Sequence, residues 1–421
     1  MNHYLGIDFG TSGARAIVID SEAKISSEVQ YPFKSLISTN LADTWKQTLF
    51  TLLAQIPEAI RQEISSIAIN GTSATVMLCD AVGDPLDEPI LYNDDRGSVV
   101  LDRLQEIAPP NSIVLSATSS LAKLFWWYQQ PIYDRAKYFL HQADWLAFLL
   151  HEKLGISDYH NALKLGYDLE RICYPNWLEN LPFRSLLPKI LAPGQIIAEV
   201  TKEIVDRFNL RQNCFVCTGT TDSIAAFIAS GAKNPGEAVT SLGSTLVLKL
   251  LSKTRVEDSR YGIYSHKFGD GLWLTGGASN TGGAVLRHFF SDRDLENLSS
   301  KINPEIETSL DYYPLLKPGD RFPINDPNLP PKLEPRPNDP VEFLHGLLAS
   351  LARIEAKGYK LLGDLGATKL ERVYTAGGGA KNSTWQTIRQ HYLKVPVIKS
   401  IHTEAAYGTA LLAKKACLSN C

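Results

Sequence analysis

Residues 6–15 read Gly-Ile-Asp-Phe-Gly-Thr-Ser-Gly-Ala-Arg: an apolar run ends in a carboxylate, and a turn of glycine and hydroxyl residues follows. An ionised Asp8 drawn out of water without partners is costly, so a carboxylate here needs a reason. Two are open on this stretch alone. Asp and Gly close together are ordinary hairpin chemistry. Alternatively, Gly10 and Gly13 let backbone N–H groups approach an anion, Thr11 and Ser12 add hydroxyls, and Asp8 holds a hydrated cation beside it.

Working outward, residues 4–7 and 15–19 read as the two strands of a hairpin, and a third strand fits 26–33. Residues 41–61 carry apolar positions at helical spacing before a strand at 66–69. The same βββαβ layout recurs further on. Residues 237–251 give strand, a Leu242-Gly243-Ser244-Thr245 turn and strand, followed by 271–275 and then helix-strand-helix segments. Two similar halves with Gly/Ser/Thr turns predict two α/β domains facing one another across a cleft, divided near residue 230. The proline-dense stretch 314–340, with Tyr312, Tyr313, Leu315, Leu316 and Phe322, is expected to be ordered along the second half rather than a linker.

A chain of 421 residues is too long for one ordinary core. Its 44% hydrophobic and 21% charged residues and net charge of -3 offer no electrostatic case for nucleic acid or an anionic membrane, which leaves small molecules as the expected partners. No run of eighteen apolar residues occurs, and Met1-Asn2-His3 leads into a strand without a signal or transit pattern, so a cytoplasmic location is expected. The composition sets no oligomeric state. Of the six cysteines, Cys214 and Cys217 have the spacing of half a zinc site, yet strand alternation sends them to opposite faces. Buried thiols are expected, since a site completed by Cys417 and Cys421 needs unrelated segments to meet.

No GxxxxGK[ST] sequence is present, so phosphate charge must be met by backbone amides, by Mg²⁺ and by Arg15. Gly243, Ser244 and Thr245 offer a second set of donors. A third cluster, Gly377 to Asn382, follows an apolar strand but lacks G-x-G-x-x-G spacing. It is either a junction open to a nucleotide base or a turn with a helix cap at Asn382 or Ser383. Asp222 stands where a strand runs into a small-residue helix, suited to be its N-cap. It can also stay ionised there to accept the proton of an attacking hydroxyl. Trp126-Trp127-Tyr128 and His141 with Asp144 and Trp145 read as packed helix faces without a chemical role.

In this order the motifs resemble those of the FGGY carbohydrate kinases, of the sugar kinase, Hsp70 and actin ATPase fold, nearly end to end. The matching stretches are Asp8 to Arg15, Ile90 to Arg96, Gly219 to Asp222, Leu242 to Thr245, Gly276 to Gly283, Gly319 to Pro323, Gly377 to Asn382 and Glu404 to Gly408. The resemblance implies two RNase H-like α/β domains around a central cleft, 1–229 and 230–403, with a final helix over 404–421 packing back on the first through Ala405, Ala406 and Gly408. It implies ATP-dependent phosphorylation of a primary hydroxyl of a small sugar. Asp222 falls at the catalytic-base position, Asp8 at that of the magnesium-associated aspartate, with Asp222 close to the same metal. Gly10, Thr11, Gly13 and Arg15 fall at the first phosphate turn and Gly243 to Thr245 at the second. Gly378, Gly379 and Asn382 match the adenosine pocket, with Trp385 nearby, and Tyr92, Asp94 and Arg96 the sugar side, where tryptophan is common in place of Tyr92. A different class sharing the fold, a nucleotide-dependent module like the chaperone and cytoskeletal ATPases, is the alternative.

Xylulose kinases of this family commonly carry Met-His-Gly in the region where this chain reads Ile69-Asn70-Gly71-Thr72-Ser73-Ala74. Shorter hydroxyl donors on that wall favour the C3 epimer, so D-ribulose is expected before D-xylulose or another sugar. Thr72 or Ser73 would contact it alongside Asp8, Ser12, Gly13 and Asp222; the other reading has both hydroxyls merely satisfying a loop backbone.

Overall fold

The opening hairpin forms as its alternation requires: His3–Phe9 pairs antiparallel with Gly13–Ile19, and Asp8 lies opposite Arg15. The structure, a computed structural model, describes residues 2–33, 40–269 and 271–418, and the chain divides into two units, Met1–Ala229 with Glu404–Cys421, and Ser230–Thr403. In the first unit the sheet runs Ile25–Pro32, Gly13–Ile19, His3–Phe9, Ile64–Gly71, Phe215–Cys217, Ile196–Glu199, with His3–Phe9, Ile64–Gly71 and Phe215–Cys217 mutually parallel. The helix expected over 41–61 stops at Gln55 and resumes only as the short turn Glu58–Arg61. Pro57 intervenes, and its ring and missing N–H cannot continue a helix.

Both faces of this sheet are covered. One packs Leu5, Ile7 and Phe9 on Trp45, Leu49 and Leu52; the other packs Tyr4, Ile17 and Ala68 on Ala406, Ala410 and Ala413 of the closing helix Ala405–Leu418. Cys214 belongs to the first cluster and Cys217 to the second, as alternation demands, and burial pushes both thiols up. Cys421 lies outside the described residues, and among those described no three His, Cys, Asp or Glu are grouped to hold a metal ion. Nor is any described helix long and apolar enough to cross a membrane.

The closing helix sits so near the sheet that a Cβ on Gly6 would lie 2.1 Å from the Ala406 carbonyl oxygen. A Cβ on Gly408 would lie 1.9 Å from the carbonyl oxygen of Ala225, in the helix Asp222–Ala229. Hydrogen bonds then fix its register: Asn70 Nδ2 donates to Thr409 Oγ1 (2.6 Å) and Ser66 Oγ to the Ala413 carbonyl (2.8 Å). Gly408→Ala is therefore expected to destabilise the protein by about 1–3 kcal/mol, through overpacking. In the same urea titration Gly363→Ala, at an exposed helical site with nothing within 4 Å, should stabilise by up to about 1 kcal/mol. Equal midpoints for the two would refute the close-packing role.

The second unit repeats the layout. Its sheet runs Tyr264–Lys267, Trp273–Ser279, Leu246–Ser252, Glu237–Leu242, Arg372–Ala376, Val397–Lys399, antiparallel through Glu237–Leu242 and parallel beyond. The 25-residue helix Pro340–Asp364 covers it with Leu344, Leu347, Leu348 and Leu351. Beneath lies a fully buried ion pair, with Arg389 donating to Glu355 through Nε (2.6 Å) and Nη2 (2.7 Å) and to Thr375 Oγ1 through Nη1 (2.7 Å). It ties the helix Ser383–Leu393 to both the long helix and the strand Arg372–Ala376. The proline-dense stretch is ordered, with Leu315 and Phe322 buried and Tyr313 exchanging backbone hydrogen bonds with Lys332; only Leu316 of its five apolar residues faces solvent.

Candidate active site

Asp8 sits at the end of its strand, and the turn beyond it closes without it. Gly10 N–H donates to the Gly13 carbonyl (3.0 Å), and Phe33 N–H to that of Ser12 (3.0 Å). The Asp8 Oδ1 atom is buried and has no hydrogen-bond partner. Burial raises the Asp8 pKa to about 7, the charge of Asp222 adds to the rise, and Arg15 and the Asn70 side chain act against it. Hairpin chemistry therefore does not account for this carboxylate.

Asp222 is the first residue of the helix Asp222–Ala229, and its Oδ1 accepts the Ser223 N–H (2.6 Å). The expected N-cap role falls one residue earlier, because the Thr221 carbonyl takes the first helical bonds, from Ile224 and Ala225. The segment before Asp222 is anchored where Thr220 Oγ1 meets His160 Nδ1 at 2.7 Å. Two carboxylates close enough to feel one another, one with an orphaned buried oxygen, suit a divalent cation. Two protein carboxylates, and no more, fit Mg²⁺, which keeps most of its waters and takes its other ligands from phosphate.

Around this pair several expectations change. The Arg15 guanidinium is ion-paired with Glu28 (3.5 Å) and Glu404 and donates to Gln30 Oε1 (3.0 Å), so it is held by acceptors of its own rather than left for phosphate. Gly13 is small for the neighbouring strand, since a Cβ there would meet the Tyr31 carbonyl oxygen at 2.7 Å. Thr11 and Ser12 are exposed at the tip of the turn.

The Thr72 hydroxyl is engaged by Thr75 Oγ1 (2.5 Å) and Gln142 Oε1 (3.2 Å), which favours the loop-satisfying role, whereas Ser73 stays partly exposed. Tyr92 is 44% exposed, and its N–H donates to Thr75 Oγ1 (3.0 Å). Arg96 grips Asp94 through two side-chain bonds (2.9 and 2.7 Å), holding that carboxyl below its ordinary pKa range. The Arg96 guanidinium also lies over Trp126 at 4.8 Å, so Trp126 stays half-buried while Trp127 alone is fully in the core. His141 bonds Asp144 (3.0 Å) and Ser120 (3.2 Å); His141 and Ser120 are buried and the Asp144 side chain is nearly so, as a packed face requires.

In the second unit the Leu242–Thr245 turn is tied to the start of the helix Gly283–Phe289: the Gly243 and Ser244 carbonyls accept from Gly283 (2.9 Å) and Ala284 (3.1 Å). Arg287 Nη2 donates to Ser244 Oγ (3.2 Å). Arg287 stands alone in the sequence, and only the return of this helix to the turn brings it there. Beside it opens a cavity of about 630 Å³ lined by Leu242, Arg287, Gly378, Gly379, Asn382 and Trp385, among others. Gly378 faces open space, while Gly379 is required by packing, with its Cβ position 2.7 Å from the Trp385 ring. Asn382 does cap its helix, Oδ1 accepting the Trp385 N–H (2.9 Å), and Nδ2 donates to Ser299 Oγ (2.8 Å). Trp385 is 3% exposed with Nε1–H on the Leu348 carbonyl (3.2 Å), a wall of the cavity rather than a free stacking platform.

Comparison with known proteins meets this geometry from outside. A xylulose kinase of Staphylococcus xylosus is 22% identical over 453 residues, covering 98% of this chain and 90% of the relative. A ribulokinase of Shouchella clausii is 24% identical over 306 residues, covering 60% of this chain and 54% of the relative. The crystal structure of a xyloylose kinase from Brucella ovis superposes with a TM-score of 0.86 at 20% identity, over 99% of this chain and 91% of that one, and shows the same fold. The N-terminal domain profile of the FGGY carbohydrate kinases matches residues 3–229 and the C-terminal profile residues 238–417. With both domains present in order, the chain belongs to the FGGY family of carbohydrate kinases.

Proposed function

We propose that this enzyme transfers the γ-phosphoryl group of ATP to the primary hydroxyl of a ketopentose. The observation that carries the reading is the Asp8–Asp222 pair, in which a buried carboxylate oxygen lacks a partner and burial and the Asp222 charge raise the Asp8 pKa against the opposing pull of Arg15 and Asn70. Asp222 accepts the proton of the attacking hydroxyl, and Asp8, with its orphaned oxygen, would hold hydrated Mg²⁺. The metal, when bound, neutralises charge on the β- and γ-phosphates. In the first unit Gly10 and Thr11 are the donors to phosphate oxygens; in the second, the Gly243, Ser244 and Thr245 turn with Arg287 at Ser244 is an anion-binding element beside the adenosine cavity. Gly378 and Asn382 border the adenosine, and Ser12, Ser73, Tyr92 and the Asp94–Arg96 pair border the sugar.

Two observations pull apart on the C3 epimer. Short hydroxyls at 72–73 speak for D-ribulose, but Thr72 is engaged elsewhere, so that case now rests on Ser73 alone. D-xylulose is the second reading, supported by the xylulose kinase that aligns along 98% of this chain. Measuring kcat/KM for both ketoses in wild type and Ser73→Ala decides between them. If Ser73 reads the C3 hydroxyl, wild type prefers D-ribulose and the variant narrows the preference by about 5- to 10-fold, the worth of one neutral hydrogen bond. A preference for D-xylulose, untouched by the variant, selects the second reading.

A further inference from the structure

Asn70 lies beside Asp8, its partner in the parallel pairing of Ile64–Gly71 with His3–Phe9, and is fully buried. Both side chains stand on the face that the closing helix covers. Tyr4 and Gly6 of the first strand meet that helix, so alternation puts Asp8 on the same side, as Arg15 opposite it confirms by reaching Glu404. Asn70 Nδ2 donates to Thr409 Oγ1 (2.6 Å), which fixes the amide. Thr409 gives its own proton to the Ala405 carbonyl (3.0 Å), so its oxygen accepts from Asn70, and only the nitrogen end of the amide can face it. The Asn70 Oδ1 atom is thereby directed away from Thr409, and among the described residues this buried oxygen has no hydrogen-bond partner. Asp8 Oδ1 has none either. A third such oxygen, Thr221 Oγ1, belongs to the next parallel segment, which is bridged to Gly71. Orphaned oxygens thus gather at the carboxyl ends of adjacent parallel strands, where open α/β sheets bind their ligands. Asn382 shows the contrast of a structural amide: its Oδ1 accepts the Trp385 N–H and its Nδ2 donates to Ser299.

We infer that Asn70 is a further cation-positioning residue beside Asp8, its Oδ1 accepting a hydrogen bond from a water that hydrates the divalent ion. This rests on the function proposed above. An amide oxygen and a carboxylate oxygen side by side offer no donor, so what satisfies both must bring protons or positive charge, and a phosphate oxygen cannot. Hydrated Mg²⁺ supplies both, since it keeps most of its waters and polarises each of them into a strong donor. Asn70 orients one of those waters while Asp8 supplies the charge. Outer partners of this kind are worth about 10- to 100-fold in metal affinity.

The test is a Mn²⁺ titration of the nucleotide-free protein at pH 8, followed by EPR, in wild type, Asn70→Leu and Asn70→Asp, with ketose affinity measured by calorimetry. Asn70→Leu keeps the volume and removes the oxygen; the Mn²⁺ dissociation constant should rise by about 10- to 100-fold, with ketose affinity within about twofold. Asn70→Asp keeps an oxygen in place and adds charge, and should instead tighten Mn²⁺ binding about tenfold. Both variants lose the amide donor to Thr409, so a merely structural role would move them in the same direction. Should Asn70→Leu fail to fold, Asn70→Asp decides alone. An unchanged Mn²⁺ constant in a folded variant, or weakening by both, overturns the inference, as does a loss confined to ketose, which assigns the oxygen to the sugar. Wild type that binds no Mn²⁺ overturns it together with the metal-holding role of Asp8, while sugar-dependent ADP release leaves the kinase reading standing. Absence of that release with the Mn²⁺ shifts intact overturns the kinase reading and not the role of Asn70.

Discussion

Asp222→Asn is expected to lower sugar-dependent ADP release by at least about 10²-fold while leaving ATP affinity within a few-fold of wild type. The substitution preserves shape, and the Asn oxygen can still accept the Ser223 N–H, so the start of the helix is not disturbed. What it removes is the group that takes the proton as the sugar oxygen attacks phosphorus. Loss of kcat with little change in ketose KM marks an interaction made in the transition state. Were the protein instead a nucleotide-dependent module without transfer chemistry, sugar would not stimulate ADP release in either form. Unchanged turnover in the variant rejects Asp222 as the base.

Asp8→Asn is expected to do two opposite things, abolishing most turnover and raising stability above neutral pH. The folded Asp8 pKa, about 7, exceeds the ordinary 3.8, so between these values the native state binds a proton that the unfolded chain has released. The stability this group contributes is thus fully present below about pH 4 and is lost as pH rises through about 7. A neutral Asn escapes the loss, giving a gain on the order of 1–4 kcal/mol at pH 8 that vanishes toward pH 4. Urea unfolding at pH 5 and pH 8, each with and without Mg²⁺, checks this; the metal should stabilise wild type more than the variant and so narrow the gap. A carboxylate placed only to shape the hairpin predicts the reverse, a less stable Asn variant whose folded fraction keeps its Mg²⁺ dependence.

What the sequence discloses is what depends on neighbours in sequence. The two hairpins, the strand-to-helix junction at Asp222 and the small residues of the closing helix follow from alternation, glycine turns and spacing, and each forms. The break at Pro57 was equally local and follows from ring chemistry that periodicity alone overlooks. The rest is set by residues far away in the chain. Arg15 reads as a free cation beside a phosphate turn until the closing helix brings Glu404 to it. Thr72 reads as a donor until Gln142 arrives from a distant helix. Arg287 gave no motif at all, because its meaning lies in the distant segment it faces, the turn at Ser244.

The most direct test is phosphoryl transfer itself. Purified wild-type protein with ATP, Mg²⁺ and a panel of ketoses, aldoses and polyols is followed by coupled ADP release, and the product is examined by ³¹P NMR. The expected result is ADP formation that requires a ketopentose and matches, mole for mole, a new phosphomonoester on its primary hydroxyl, with both signals lost in Asp222→Asn. ADP formed at the same rate with and without sugar, or no phosphomonoester from any ketopentose, contradicts the proposed reaction.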